Sequence, residues 1–248
     1  MSSLKWGLSM DNNKNKEASR ANCHDHHDDH EHTIMGELLC HFPYAVFSVA
    51  LGLALLSLIS VVSLTNADPR IAKKTAHVLF HSFHFMHIVF AAVGTILTYM
   101  RFSKSKSMFK AFCVGLICPT VFCMLSDAVL PYIAGTLLGV QMSFHVCFYS
   151  ELANVLPFLF VGIITGLIMS RDQQAERSLH TITSHVAHIF VSSLASTFYL
   201  VAHGFSNWYD SIGMVFLSMI VAVVIPCTMS AVAVPMIIAR ADKKNEKH

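Results

Sequence analysis

Residues 75–100 read TAHVLFHSFHFMHIVFAAVGTILTYM, a run without a single Asp, Glu, Lys or Arg. It exceeds the roughly 20 apolar residues that a helix needs to cross a bilayer. Four histidines interrupt it, at 77, 81, 84 and 87. At about 100° per residue, His77, His81 and His84 fall within an arc of about 60°, with His87 at its edge. Histidines that share one face of a membrane helix cannot point at lipid without a large penalty, so this face is expected to look into a bundle.

The rest of the chain is of the same kind. Of 248 residues, 54% are hydrophobic and only 13% charged, about half the charge of a soluble domain. Apolar runs predict an all-α, polytopic membrane bundle of six transmembrane helices, over 36–64, 75–100, 108–130, 143–169, 179–203 and 210–238. Residues 126–142, with Pro131, Gly135 and Gly139, extend the third span, form a loop, or re-enter the membrane. The expected organisation is a disordered histidine-rich tail at 1–35, a six-helix domain at 36–238 and a basic tail at 239–248. The tail lacks the apolar core of a signal peptide, so cleavage is not expected.

Lys and Arg set the orientation. With the N-terminus in the cytosol, fourteen of the seventeen basic residues fall on the cytosolic side and only Arg70, Lys73 and Lys74 on the other. This asymmetry predicts a multi-pass protein with both termini cytosolic, in a bacterium an inner-membrane protein. The basic residues form no patch, which argues against nucleic-acid binding. Seven scattered cysteines without a CxxC pair predict free thiols rather than a disulfide framework.

A possible 3+3 inverted repeat is also legible. Pro43 in span one answers Pro157 in span four, and the span-two histidines answer SHVAH at 184–188 in span five. Ile-Cys-Pro-Thr at 117–120 answers Ile-Pro-Cys-Thr at 225–228. Inverted three-span halves are a transporter plan with substrate sites near the midplane.

Span five carries His185, His188, Ser192, Ser196, Tyr199 and His203 at helical spacing, a polar stripe along nearly its whole length. Span four adds Cys147, Ser150, Glu151 and Asn154 on one side, with His145 on the opposite side of the helix. Together with Asp127, the expected metal-ligating set is His81, His84, His87, His185, His188, Glu151, Asn154, Asp127 and His203. Glu37 and His41 are expected at the cytosolic vestibule. His24, His26, His27, His30 and His32, within CHDHHDDHEH at 23–32, form a cytosolic metal-binding tail. Imidazoles with a few carboxylates suit zinc, nickel, cobalt or iron(II), zinc foremost.

These residues point to a secondary, proton-coupled transporter of a divalent transition metal, with a path on helices 2, 4 and 5, rather than to an enzyme. No nucleotide-binding GxxxxGK[ST] motif is present, so energy comes from a gradient or from a partner subunit. The alternatives are a membrane-embedded metalloenzyme and a b-type haem electron carrier using the same histidines. A dithiol carrier through Cys118 and Cys227 is weaker, because both cysteines adjoin helix-kinking prolines. The expected partners are the metal ion and the lipid bilayer, and a homo-oligomer is compatible with the composition.

Overall fold

The computed structural model describes residues 34–65, 69–145, 147–171 and 179–245. The histidine-rich tail lies outside them. All regular structure among the described residues is helical: α1 (Ile34–Thr65), α2 (Pro69–Phe102), α3 (Met108–Met124), α4 (Leu130–Leu137), a short α5 (Cys147–Ser150), α6 (Leu152–Met169), α7 (Leu179–Ala202), α8 (Ile212–Thr228) and α9 (Val234–Asn245). Two of the joints are π-turns, Leu125–Val129 between α3 and α4, and Met229–Ala233 between α8 and α9. Each pair therefore runs on as one long kinked helix, and residues 126–137 extend the third span.

Five stretches are long and apolar enough to cross a bilayer: His41–Val62, Arg70–Phe102, Met108–Leu137, Leu152–Met169 and Trp208–Asp242. α7 contributes a shorter apolar stretch, Val186–Ala202. The distribution of polarity agrees with lipid as the surrounding solvent. Phe47, Leu58, Val161, Ile168, Leu217 and Val221 face outward, while Ser126, Asp127, Ser192, Ser196 and Thr95 are wholly buried. A soluble helical protein reverses this arrangement; a membrane bundle gains little from hiding apolar surface and gathers its polar groups inside.

α2 and α7 form the central pair, and of the five long spans α2 is the most enclosed, with 67% of its most apolar window buried. α1 packs on α7 and α6 packs on α2, in both cases through glycine. A Cβ at Gly162 would lie 2.8 Å from the Val89 carbonyl oxygen, and one at Gly166 would lie 3.1 Å from Ile96 Cβ. Gly162 and Gly166 form a GxxxG pair, the spacing that lets two membrane helices approach backbone to backbone. On the other flank, a Cβ at Gly52 would lie 3.1 Å from Thr197 Oγ1 and 3.5 Å from Leu194 Cδ2.

The fourth span departs from the sequence expectation. A continuous helix from 143 was expected; instead Gly139, at φ +83°, turns the chain out of α4, and residues 140–145 run non-helically. This segment is held against the end of α7. Ser143 N–H donates to His203 O at 2.9 Å, and His145 N–H donates to Tyr199 Oη at 3.1 Å. Gly204, at φ +126°, lets the backbones meet there. Helix resumes only at Cys147.

The bundle end that carries Arg101, Lys110 and Arg240 is tied by Asp242. Its carboxylate accepts Tyr99 Oη–H at 2.9 Å and pairs with Lys110 Nζ at 2.9 Å.

Candidate metal centres

Two clusters of groups able to ligate a metal lie in the bundle, with His84 between them.

The central cluster is built around Asp127. The π-turn presents this carboxylate, with no exposed surface, to α2 and α7. Oδ2 accepts the Nδ1–H of His84 at 2.9 Å and the Nδ1–H of His87 at 2.6 Å. Oδ1 accepts from the hydroxyls of Ser126 at 2.7 Å and Ser192 at 3.0 Å. Four donors offset the cost of burying the charge. The bond to His87 also decides its tautomer: with the proton on Nδ1, the lone pair sits on Nε2.

That nitrogen faces two thiols. Cys123 Sγ, on α3, and Cys227 Sγ, on α8, each lie 3.7 Å from His87 Nε2. The His188 ring, on α7, lies 4.7 Å from the His87 ring between centroids. Donor atoms of His87, His188 and Cys227 all lie within 4.8 Å of one another, and all three residues are buried. A buried carboxylate that fixes an imidazole whose far nitrogen meets further donors is the outer-shell pattern of histidine metal sites.

The second cluster lies at the bundle end closed by the 140–145 segment. His81, His145 and Cys147 place donor atoms within 4.8 Å of one another. His81 donates Nδ1–H to His77 O at 2.9 Å, and its Nε2 lies 3.2 Å from Glu151 Oε1. A ring nitrogen facing a carboxylate oxygen is favourable only with a cation between them, either the ring's own proton or a metal ion. His203 stacks on His145 with centroids 5.2 Å apart and donates Nδ1–H to Tyr199 O at 3.0 Å. An open surface groove of about 480 Å³, lined by His77, His81 and Glu151 and by the exposed apolar Val78, Met86 and Phe158, borders this cluster.

His84 connects the two. Its Nδ1 is tied to Asp127 in the central cluster, while its ring stacks on Phe80, which also touches His81 and His203. Beyond the central cluster, Thr228 follows Cys227 and lies 3.4 Å from Nδ1 of buried His41.

Among the residues expected from sequence, His87, His188 and Asp127 come together centrally, and His81, Glu151 and His203 come together at the end of the bundle. Asp127 stands level with His84 and His87, not at the boundary. Asn154 is exposed, and its Nδ2 donates to Glu151 Oε2 at 3.3 Å, so it steadies the carboxylate from outside the cluster. The side chains of His185 and Glu37 lie outside the described residues, as do His24, His26, His27, His30 and His32.

The donors come from α2, α3, α7, α8, the π-turn that carries Asp127, and the residues His145, Cys147 and Glu151 that precede α6. His145 is the clearest departure. The helical projection put it opposite Glu151, but residue 145 precedes the helix, so the projection does not apply to it. The sequence offers Cys123 and Cys227 as ligands only weakly, because each sits in an apolar run and Cys227 adjoins the kink residue Pro226.

Comparison with known proteins gives no match among family models, curated proteins or solved structures.

Proposed function

We propose that the chain is a secondary transporter for a divalent transition-metal ion, with six spans and both termini on the cytosolic side. The observation that carries this reading is two multidentate clusters in series within one bundle, one beside an open groove and one buried, joined through His84. Ions move by exchange between successive sites, and two sites along one axis suit passage better than a single closed centre does. Imidazole and thiol ligands give up protons when they bind metal, which supplies a natural coupling to the proton gradient.

The two halves of the chain are read as an inverted repeat. Pro43 and Pro157 are 114 residues apart, as are Gly52 and Gly166. His84 and His185, His87 and His188, and Thr95 and Ser196 are each 101 apart; Cys123 and Cys227, and Ser126 and Ser230, are 104 apart. The contacts follow these offsets. Gly52 approaches Leu194 and Thr197, which are 101 residues beyond the Val93 and Ile96 that Gly166 approaches. Thr95 Oγ1 donates to Ser230 O in one π-turn at 2.9 Å, and Ser196 Oγ donates to Ser126 O in the other at 3.0 Å. This register pairs Cys227 with Cys123 rather than with Cys118, four residues from the alignment that the two Cys-Pro motifs suggest. A pseudo-two-fold axis between His87 and His188 then runs through the central cluster, where repeat-built transporters hold their substrates.

The haem reading loses support, because rings with centroids 4.7 Å apart leave no room for a porphyrin between them. The deciding experiment is metal flux into proteoliposomes, with zinc, cobalt, nickel, iron(II) and manganese offered singly. Flux that disappears in His87→Ala and His188→Ala supports the proposal. Stoichiometric metal retained through dialysis, with no flux, would overturn it in favour of a fixed-metal enzyme.

A further inference from the structure

We infer that the central cluster is a four-donor site, with His87 and His188 as nitrogen ligands and Cys123 and Cys227 as sulfur ligands, and that it takes a thiophilic, tetrahedral divalent ion. The inference takes its cargo from the transport reading but its ligands from geometry alone.

The distances fit. Zinc binds imidazole nitrogen at about 2.1 Å and thiolate sulfur at about 2.3 Å, so a tetrahedral ion holds N and S about 3.6 Å apart. Both sulfurs stand 3.7 Å from His87 Nε2. Hydrogen bonding does not require that arrangement. His87 Nε2 has one lone pair and accepts one S–H, while Cys227 already has Ser192 Oγ at 3.3 Å to receive its proton. A second sulfur at the same distance from the same nitrogen is what a shared ion needs.

The four residues come from four helices, and they form two pairs related by the offsets of 101 and 104 residues, so each half supplies one imidazole and one thiol. The off-axis helpers are not duplicated: Asp127 corresponds to Ala231, so only one half supplies the carboxylate that orients a ligand.

Charge argues the same way. One M²⁺ displaces the two thiol protons to water and forms two metal–sulfur and two metal–nitrogen bonds, leaving an M(His)₂(Cys)₂ unit of zero net charge. A neutral complex avoids much of the cost of a bare dication in the bundle interior. Two thiolates also select zinc or cobalt over manganese and magnesium, which favour octahedral oxygen.

The test is cobalt(II) absorption by the full chain in detergent, in a Cys23→Ser/Cys147→Ser background that removes the thiols of the tail and of the second cluster and leaves only their imidazoles. The expected result is a thiolate-to-cobalt charge-transfer band with intense tetrahedral ligand-field bands. That band is expected to fall by about half in Cys123→Ser or in Cys227→Ser, one of the two sulfur ligands being lost. It is expected to vanish in the double variant and to persist in Cys118→Ser. Zinc is expected to bleach it, and excess manganese or magnesium to leave it. Failure of the background protein, properly folded by circular dichroism, to bind cobalt with a thiolate band would overturn the site without recourse to any ligand variant. So would a loss in Cys118→Ser equal to that in Cys227→Ser. A protein with the bands but no flux refutes transport and keeps the site; flux without the bands refutes the site and leaves transport standing.

Discussion

Asp127 Oδ2 accepts the Nδ1–H of His87 at 2.6 Å in a wholly buried setting, and this bond turns the free ring nitrogen of His87 toward two thiols. The carboxylate is therefore a positioning group. In the proposed site it orients His87 without occupying a ligand position itself.

Asp127→Asn keeps the volume but replaces one acceptor oxygen with an NH₂ group that has to face N–H or O–H donors. Apparent zinc affinity, measured by competition with a chromophoric chelator, is expected to fall about 10–100-fold, the usual cost of losing a partner behind a ligating histidine. Affinity within twofold of the parent would mean that Asp127 does not orient the site.

The 140–145 segment places His145 beside His81 and Cys147, next to the open groove. Under the transport proposal the cluster with His145 is the first site an ion meets, and His145→Ala removes a donor from it while leaving the central cluster intact. The expected outcome is an apparent KM for metal flux raised by about tenfold with the maximal rate little changed, the pattern of lost initial binding. His87→Ala, by contrast, is expected to abolish the maximal rate. Equal effects of both variants on both parameters would remove the distinction between a first and a second site.

Gly162 holds α6 against the backbone of α2. A methyl group there meets the Val89 carbonyl oxygen at 2.8 Å and Ala92 Cβ at 2.9 Å, and neither can swing aside. Gly162→Ala is expected to cost about 1–3 kcal/mol, as overpacking of a close contact does. Thermal unfolding in detergent measures this. Gly36→Ala, whose added methyl meets nothing within 4 Å, is the control; by helix propensity alone it is expected to stabilise by about 0.5–1 kcal/mol.

Much of this architecture is legible in one dimension. Hydropathy locates α2, expected over 75–100 and found over Pro69–Phe102, because a membrane helix needs a long apolar run and such runs are easily counted. The four histidines of α2 also diverge along its length. His81 serves the terminal cluster, His84 the junction and His87 the center, as their positions along one face require.

Other features were beyond that reading. The helical projection misplaced His145 because periodicity assigns faces only where the chain is helical, and residues 140–145 are not. The role of Cys227 could not be separated from that of a kink beside Pro226. Asp127 is legible in the sequence as a candidate ligand, but the sequence does not tell which imidazoles it meets. Those meetings depend on the π-turn that carries it and on how α3 is rotated against α2 and α7.

The sequence by itself determined that this is a helical chain built for lipid, with imidazole, thiol and carboxylate groups along faces of its apolar runs. Hydrophobic length and the 3.6-residue period are local properties, set by consecutive residues. The tertiary structure alone decided which groups meet: His87 with His188, Cys123 and Cys227, and His81 with His145 and Cys147. Contact between helices depends on their relative rotation, their glycine-mediated approach and the breaks between them, and no period along a single helix encodes these.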